Sequence, residues 1–186
     1  MKLIGISGSL RRASFNTALL RYAAGLLPEG VELDVQTLHG IPLYDGDIET
    51  SAGIPASVET LKNLIINADG LILCTPEYNN SIPGVFKNAI DWLSRPPARI
   101  SPVFNGKPVA ILGATPGQYG TMLGQNAWLP VLRAVGAKPW YGGRLMVAKA
   151  EASFGASGAI TDEALKRQLS QFVHGFVEFI RPPSGK

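Results

Sequence analysis

A loop near the start of the chain, residues 8–16, places small residues, hydroxyl groups and two arginines directly after the apolar run of residues 3–6. A helical pattern follows, and the free N–H groups at a helix start favour a negatively charged ligand. Arg11 and Arg12 suit such a ligand because a planar guanidinium can bond two phosphate oxygens at once. The loop therefore predicts a phosphate site, and an ordinary strand-to-helix turn with Ser14 as its N-cap is the alternative.

The same loop fails to match three other phosphate or catalytic motifs. Gly8 is followed by Ser9 and Leu10 rather than by the lysine of a nucleoside triphosphatase loop. Gly5 and Gly8 have no third glycine on the helix side, so the dinucleotide fingerprint is incomplete. The spacing around Ser7 is also wrong for a hydrolase nucleophile elbow.

Length and composition favour one globular domain, which we place at residues 1–181 with a short tail at 182–186. The charge of +3 without a basic block gives no indication of nucleic-acid binding. No apolar run approaches the roughly 20 residues that a membrane span needs, so no membrane association is expected. The only cysteine, Cys74, lies in an apolar run and is interpreted as core, and we expect a cytoplasmic protein without a signal peptide.

Hydrophobic periodicity predicts strands that alternate with amphipathic helices. The predicted strands are residues 2–7, 31–38, 71–75, 108–113 and 140–147, and the predicted helices are 14–27, 57–68, 84–94, 121–135 and 162–180. Three segments without clear periodicity, 40–53, 95–105 and 150–160, are predicted to be loops. This alternation predicts an α/β fold, a three-layer sandwich in which helices cover both faces of a five-stranded parallel sheet.

Three predicted loops follow parallel strands and should meet at the carboxyl edge of the sheet, where ligands bind in such folds. Residues 8–16 are cationic, residues 75–83 combine an aromatic ring with amides and prolines, and residues 114–120 are rich in small residues. A phosphate pocket beside a planar, amide-bordered slot suits FMN better than an isolated phosphate. The alternative is that three loops happen to be rich in turn residues.

The motifs in these loops resemble the NADPH-dependent FMN reductase family, a group of flavodoxin-like proteins that includes quinone, chromate and azo-dye reductases. The resemblance extends to about Gly136. It is carried by Gly8-Ser9-Leu10-Arg11, Ser14-Phe15-Asn16, Pro76-Glu77-Tyr78-Asn79, Pro83-Gly84, Lys87-Asn88-Ala89-Ile90-Asp91-Trp92, Gly106-Lys107-Pro108, Gly113 and Gly117.

The resemblance implies a non-covalently bound FMN and NAD(P)H as co-substrate, with electrons passed to a quinone or a similar soluble acceptor such as chromate, an azo compound or free flavin. The phosphate of the FMN would be surrounded by Ser9, Arg11, Ser14, Phe15 and Asn16. Pro76, Glu77, Tyr78 and Asn79 would border its ring system, and Ala114, Thr115 and Gly117 would line the other edge. Substrates would meet Tyr78, Asn79, Gln118 and Tyr119. No catalytic acid or base and no metal site is expected, because the flavin N5 carries the chemistry.

Several alternatives stay open at this point. A flavodoxin-type electron carrier or a flavin-binding regulatory module would bind the same cofactor, although the basic charge balance disfavours a flavodoxin. The resemblance implies a homodimer or homotetramer, with Trp92 and Trp128 either at the interface or in the core. Arg12, Arg95 and Arg99 could each meet the extra phosphate of NADPH or could simply be solvated.

Overall fold

The computed structural model describes residues 1–181 and contains one parallel sheet. Its strands are β1 (Lys2–Ser7), β2 (Glu32–Thr37), β3 (Gly70–Cys74), β4 (Pro108–Ala114), β5 (Lys138–Pro139) and β6 (Leu145–Val147). The first five stand in the order β2-β1-β3-β4-β5, and β6 also pairs with β4. Every pairing is parallel. This confirms the predicted α/β class and the flavodoxin-like strand order.

The position of each strand follows from its apolar pattern. β3 is buried at all five residues and lies at the centre of the sheet, as its continuous apolar run predicts. β2 alternates exposed and partly buried residues at its start and lies at the edge. The connection that follows β1 runs to β2 on one side of it, whereas the connection that follows β3 runs to β4 on the other side. This reversal opens a crevice at the carboxyl ends of β1 and β3.

The predicted strand 140–147 is wrong in its first half. Two short strands share the fifth position, and residues 140–144 leave the sheet between them. The Trp140 ring folds over Gly142, where a Cβ atom would lie 2.5 Å from the indole nitrogen, and packs on Phe172 with ring centroids 5.1 Å apart. Because the Trp140 ring occupies the space beside Gly142, residues 140–144 lie outside the sheet, and pairing with β4 resumes at β6.

Helices cover both faces of the sheet and enclose two hydrophobic cores. They are α1 (Phe15–Ala24), α2 (Gly46–Ala52), α3 (Ala56–Ile66), α4 (Gly84–Leu93), α5 (Ile100–Phe104), α6 (Met122–Ala134), α7 (Ala150–Ser153) and α8 (Glu163–Ile180). Residues of α1 and α8 enclose one core. Residues of α3, α4, α5 and α6 enclose the other. This arrangement confirms the predicted three layers.

Short helices occupy parts of all three predicted loops, which is a correction of the sequence-based prediction. In residues 40–53, the Asp45 carboxylate accepts a hydrogen bond from the Asp47 amide at 2.8 Å and starts α2, which ends at Gly53 with a positive φ of 80°. A 3-10 turn at Pro97–Arg99 leads into α5, and α7 follows β6. Each is too short to show a clear apolar period.

Trp92 and Trp128 are fully buried within the chain, so the hypothesis that they form interface rings is wrong and their core placement is correct. The Trp92 indole donates to the Pro42 carbonyl at 2.9 Å, which fastens the segment before α2 to α4. Trp128 packs edge-on against Phe86 with ring centroids 4.7 Å apart. The predicted tail, 182–186, lies outside the described residues.

Within the described chain, no helix has the length and apolar character to cross a membrane. Over the same residues, no group of three His, Cys, Asp or Glu side chains is placed to hold a metal ion.

Candidate functional site

The site is built first from residues 8–16, which we call the cradle loop. The loop joins β1 to α1 and lies close to its neighbours, since the Gly8 amide donates to the Cys74 carbonyl at 2.9 Å. A Cβ atom at Gly8 would lie 2.3 Å from Cδ1 of Phe86, so only glycine fits without rearrangement. The loop backbone is thereby held against β3 and α4.

Hydroxyl groups of the cradle loop help to shape it. The Ser14 Oγ accepts a hydrogen bond from the Thr17 amide at 3.2 Å, which confirms the predicted N-cap of α1. The Ser9 Oγ accepts from the Arg11 amide at 3.3 Å. Both serines are buried, and both use an oxygen lone pair in these bonds. Their O–H groups therefore remain available to donate to a ligand.

Several hydrogen-bond donors of the cradle loop have no acceptor among residues 1–181. Within residues 1–181, the backbone amides of Arg12, Ala13 and Ser14 donate to no protein acceptor. The Arg11 guanidinium lies 6.0 Å from the Phe15 ring centroid, and no carboxylate of the described chain pairs with it. Several N–H groups and a cation thus converge without a protein partner, as an anion site requires.

Asn16 links this loop to β4 rather than presenting its whole amide to a ligand. The buried side chain accepts from the Ala114 amide and donates to the Ala114 carbonyl, both at 2.9 Å. Its oxygen also accepts from the Cys74 thiol at 3.3 Å. Only the second N–H of the amide is left for a phosphate. Burial raises the pKa of the Cys74 thiol well above its usual range, in keeping with the predicted inert core role.

Residues 75–83 form the second wall of the site, which we call the turn loop. Tyr78 and Ser81 exchange backbone hydrogen bonds of 3.2 and 3.1 Å around a tight turn. Asn79 and Asn80 at its tip have positive φ angles of 50° and 61°, a conformation that asparagine tolerates better than most residues. The Tyr78 side chain is 46% exposed, whereas Pro76 is buried.

Glu77 connects the turn loop to the start of α6. Its Oε2 accepts a hydrogen bond from the Gly124 amide at 2.7 Å. Thr121, the residue before α6, makes no capping bond of its own with its side chain. The carboxylate of Glu77 therefore caps α6 from another loop, where the positive end of the helix dipole stabilises its charge. The sequence favours a backbone contact for Glu77, but it could not identify the partner because the two residues are distant in the chain.

Residues 114–121 form the third wall, which we call the small-residue loop. Its start is anchored by hydrogen bonds from Thr115 to Val147 at 3.0 Å and from Ala150 to Thr115 at 3.1 Å. Just before it, a Cβ atom at Gly113 would lie 2.0 Å from the Thr75 carbonyl, so glycine lets β3 and β4 end side by side. The tip projects outward, with exposed residues Gly117, Gln118 and Tyr119.

The three candidate arginines for the NADPH phosphate differ in their partners. Arg95 donates to Glu49 at 2.9 Å, and Arg99 donates to Glu59 at 3.0 Å. Arg12 is exposed and pairs with no carboxylate of residues 1–181. It shares a cleft beside the cradle loop with Arg21, a residue that the sequence pattern marked only as part of a helix.

Two long-range contacts hold this edge of the sheet together. Asn16 ties the cradle loop to the small-residue loop, and Glu77 ties the turn loop to α6, the helix that follows the small-residue loop. An unpaired cation with several free amides thus lies at the crevice between β1 and β3, where doubly wound proteins hold phosphorylated ligands. The fold and the site define an α/β protein that binds a nucleotide-like phosphate.

Comparison with known proteins gives the family. The model of the NADPH-dependent FMN reductase family matches residues 1–152. An NAD(P)H-dependent FMN reductase of Pseudomonas aeruginosa is 40% identical over 181 residues, which cover 97% of this chain and 96% of that protein. A 2-hydroxy-1,4-benzoquinone reductase of Burkholderia sp. is 35% identical, with 97% of each chain covered. The chain belongs to the NADPH-dependent FMN reductase family.

A solved structure supports the same assignment. FerB of Paracoccus denitrificans, a flavoenzyme NAD(P)H:acceptor oxidoreductase, superimposes with a TM-score of 0.82 at 34% identity. The match covers 96% of both chains, so it includes the region beyond residue 152 that the family model does not reach.

Proposed function

We propose that the protein is an FMN-dependent NAD(P)H oxidoreductase that reduces quinones or similar small acceptors. The observation that carries this proposal is the cradle loop, where Arg11 has no carboxylate partner and several backbone amides have no acceptor within residues 1–181. These groups fit the dianionic phosphate of FMN, and the two neighbouring loops are uncharged apart from Glu77, which is already bonded to Gly124. The curated relatives named FMN reductase and benzoquinone reductase support it independently.

FMN would be held without a covalent bond. Its phosphate would meet Ser9, Arg11, Ser14, Phe15 and Asn16, and Asn16 would use the one N–H that Ala114 leaves free. The turn loop would border the ring system through Pro76, Glu77, Tyr78 and Asn79. Ala114, Thr115 and Gly117 of the small-residue loop would line the other edge of the ring system. When bound, the cofactor supplies the hydride acceptor and the electron donor of the reaction.

The protein's own residues would orient the reactants and cover one side of the site. Tyr78, Asn79, Gln118 and Tyr119 stand exposed on the turn loop and the small-residue loop, and they would frame a single open slot. A dinucleotide and a quinone cannot both occupy one slot, so the first product must leave before the acceptor enters. No acid or base is required of the side chains, and Glu77 is occupied as a helix cap.

Residues 1–181 would act as one FMN-binding domain in the cytoplasm, where NAD(P)H is available and where a lone buried thiol such as Cys74 stays reduced. We further propose a homodimer or homotetramer. Exposed Met122, Leu123 and Tyr141 line one cleft, and a cluster of exposed apolar side chains supports self-association. Light scattering of the purified protein measures the subunit number.

The test of the proposal begins with the purified protein, which we expect to be yellow and to release FMN on denaturation. Its oxidation of NAD(P)H is then measured with and without 1,4-benzoquinone. Initial-rate plots against NAD(P)H at several quinone concentrations should give parallel lines, as a shared slot requires. Release of FAD would overturn the cofactor assignment. FMN binding without dinucleotide oxidation would indicate an electron carrier or a regulatory module, and intersecting lines would indicate two separate sites.

Gly117→Val sharpens this test at the rim of the slot. A Cβ atom at Gly117 would meet nothing closer than Thr115 at 3.7 Å, so the larger side chain fits without disturbing the fold. We expect it to slow flavin reduction and quinone reduction together, because both depend on approach to the same atom. A variant that loses only quinone reduction would contradict the shared slot. Because Gly117 is also placed beside the ring system, both rates are measured per bound FMN, and unchanged thermal stability is the control.

A further inference from the structure

A histidine that follows β2 bonds the backbone of the cradle loop. Thr37, the last residue of β2, pairs with Ser7, the last residue of β1, so the two strands end side by side. Two residues beyond Thr37, the Nε2 atom of His39 lies 3.1 Å from the Leu10 carbonyl oxygen of the cradle loop. A carbonyl oxygen can only accept a hydrogen bond, so Nε2 carries the hydrogen and donates it.

The position of His39 is fixed although its ring is exposed. Its Nδ1 atom lies 3.0 Å from the Thr37 Oγ1, and in the neutral ring with its hydrogen on Nε2 this nitrogen accepts from the hydroxyl. The residue before it, Leu38, is buried in the core. The carbonyl of the residue after it, Gly40, accepts from the Ser57 Oγ at 2.9 Å. Both the ring and the backbone of His39 are therefore held in place.

The Leu10 carbonyl belongs to the peptide unit that continues into Arg11. The amide of the same unit, which is the Arg11 N–H, donates to the Ser9 Oγ at 3.3 Å. Because a peptide unit is planar, holding its oxygen and its N–H fixes its orientation. Arg11 is the arginine assigned to the FMN phosphate, and the amides of residues 12–14, which have no acceptor within residues 1–181, follow directly.

The bond from His39 supports the middle of the cradle loop from outside. Gly8 anchors the start of the loop to Cys74, and Asn16 anchors its end to Ala114. Between these anchors, residues 10–13 form one hydrogen bond with another segment of the described chain, which is the bond from His39. Without it, this stretch would lose conformational order, and FMN would have to restore that order on binding at a cost in affinity.

We propose that His39 is a positioning residue of the phosphate site. It holds the peptide unit between Leu10 and Arg11, so that Arg11 and the amides after it face the FMN phosphate before the cofactor binds. This inference rests on the proposed function and adds to that site a residue that lies outside its sequence motifs. His39 acts through the backbone of the loop and needs no contact with the flavin.

The test titrates the flavin-free protein with FMN and with riboflavin, which lacks the phosphate. His39→Ala should weaken FMN binding about three- to tenfold, as expected for the loss of one hydrogen bond, and should leave riboflavin binding unchanged. His39→Gln keeps an N–H donor and should restore most of the FMN affinity. His174→Ala is the matched control, because this exposed histidine also contacts a backbone carbonyl, that of Ser170 at 2.8 Å, but lies on α8. It should change neither affinity.

A double variant tests whether His39 acts through Arg11. In an Arg11→Ala background, His39→Ala should weaken FMN binding by less than about twofold, since both residues serve the same phosphate contact. The full effect in that background would overturn the proposal. So would equal weakening of FMN and riboflavin, or a glutamine variant as weak as the alanine variant.

The titrations separate this inference from the proposed function because they need neither a dinucleotide nor a quinone. FMN binding without NAD(P)H oxidation would contradict the proposed function alone. Unchanged FMN affinity in His39→Ala would contradict the role of His39 alone. A wild-type protein that binds no FMN would overturn both.

Discussion

The cradle loop and the segment that follows α4 each carry two arginines, but only the arginines after α4 pair with carboxylates of the described chain. After α4, Arg95 bonds Glu49 and Arg99 bonds Glu59. In the cradle loop, Arg11 and Arg12 have no carboxylate partner in the described chain. Paired arginines stabilise the fold, whereas unpaired ones beside free amides are placed for an anion that the protein itself does not supply.

The partners after α4 form a connected network. Tyr44 donates its hydroxyl hydrogen to Glu49 at 2.9 Å, and the same carboxylate accepts from Arg95. The fully buried Lys62 donates to the Arg95 carbonyl at 2.6 Å and to Glu59 at 3.2 Å. Because α2, α3 and the segment after α4 meet here, these charges join three parts of the fold. No ion pair of the described residues involves Arg11, so its removal should affect a ligand rather than folding.

The largest expected effect tests this difference at the cradle loop. Arg11→Ala should weaken FMN binding by about one to two decades, since a hydrogen bond to a charged group contributes roughly 1.5–3 kcal/mol. Arg12→Ala should weaken it far less. Fluorescence titration of the flavin-free protein with FMN measures both. Equal losses would show that the wrong arginine has been assigned to the FMN phosphate, and the unfolding curve of flavin-free Arg11→Ala should match that of the wild type.

The next largest effect is expected at Glu77 in the turn loop. Its carboxylate accepts a hydrogen bond from a backbone amide rather than from an arginine. Glu77→Ala leaves the Gly124 amide without its acceptor and should lower the free energy of unfolding by about 1–2 kcal/mol. Glu77→Gln keeps an acceptor oxygen and should recover most of this loss. Urea unfolding of the flavin-free proteins measures the difference. A glutamine variant as unstable as the alanine variant would contradict the capping role.

A smaller effect is expected when a paired arginine is removed. The hydrogen bond from Arg95 is the main cause that holds the pKa of Glu49 below its usual value, and the bond from Tyr44 adds to it. A carboxyl with a lowered pKa in the folded state stabilises the protein above its unfolded pKa and loses that contribution as pH falls through the folded pKa. Arg95→Gln should therefore lower the Tm at neutral pH.

The difference in Tm between wild type and Arg95→Gln should shrink as the pH falls and Glu49 becomes protonated. Thermal unfolding monitored by circular dichroism over a series of pH values measures this. A constant difference at all pH values would show that packing of the Arg95 side chain, rather than its bond to Glu49, stabilises the fold.

The smallest effect is expected for Arg99→Gln. Arg99 is 41% exposed and Glu59 is 31% exposed, and exposed ion pairs contribute less than about 1 kcal/mol. Glu59 also keeps Lys62 as a partner. The urea midpoint should shift only slightly at low ionic strength and by less at high salt, where the charges are screened. A large shift that salt does not reduce would place Arg99 among the structurally important residues.

Sequence patterns were sufficient for the long elements and for the position of the site. Continuous apolar runs identified β1, β3 and β4, and the apolar periods of α1, α3 and α8 were clear enough to locate these helices. The serine at the start of α1 marked its own cap, because that bond reaches only three residues along the chain. Parallel strands end at one edge, so the meeting of three loops there followed from the order of elements.

Short elements could not be predicted from the sequence, because a helix such as α7 has too few residues to show the apolar periodicity of a helix. The break between β5 and β6 depends on the Trp140 ring, whose place against Phe172 is a contact with α8. Likewise, Trp92 and Trp128 could be assigned to the core only once the helices around them were in place.

The amino-acid sequence by itself determined where a phosphate site is expected, since small residues, hydroxyls and arginines occur together within the cradle loop. Only the tertiary structure decided what each polar group does there. Asn16 meets Ala114, Glu77 meets Gly124 and Arg95 meets Glu49 across separations of 98, 47 and 46 residues. The residue type determines which donors and acceptors each of these side chains carries. Its partner depends on which distant segment the packed sheet and helices bring within hydrogen-bonding distance.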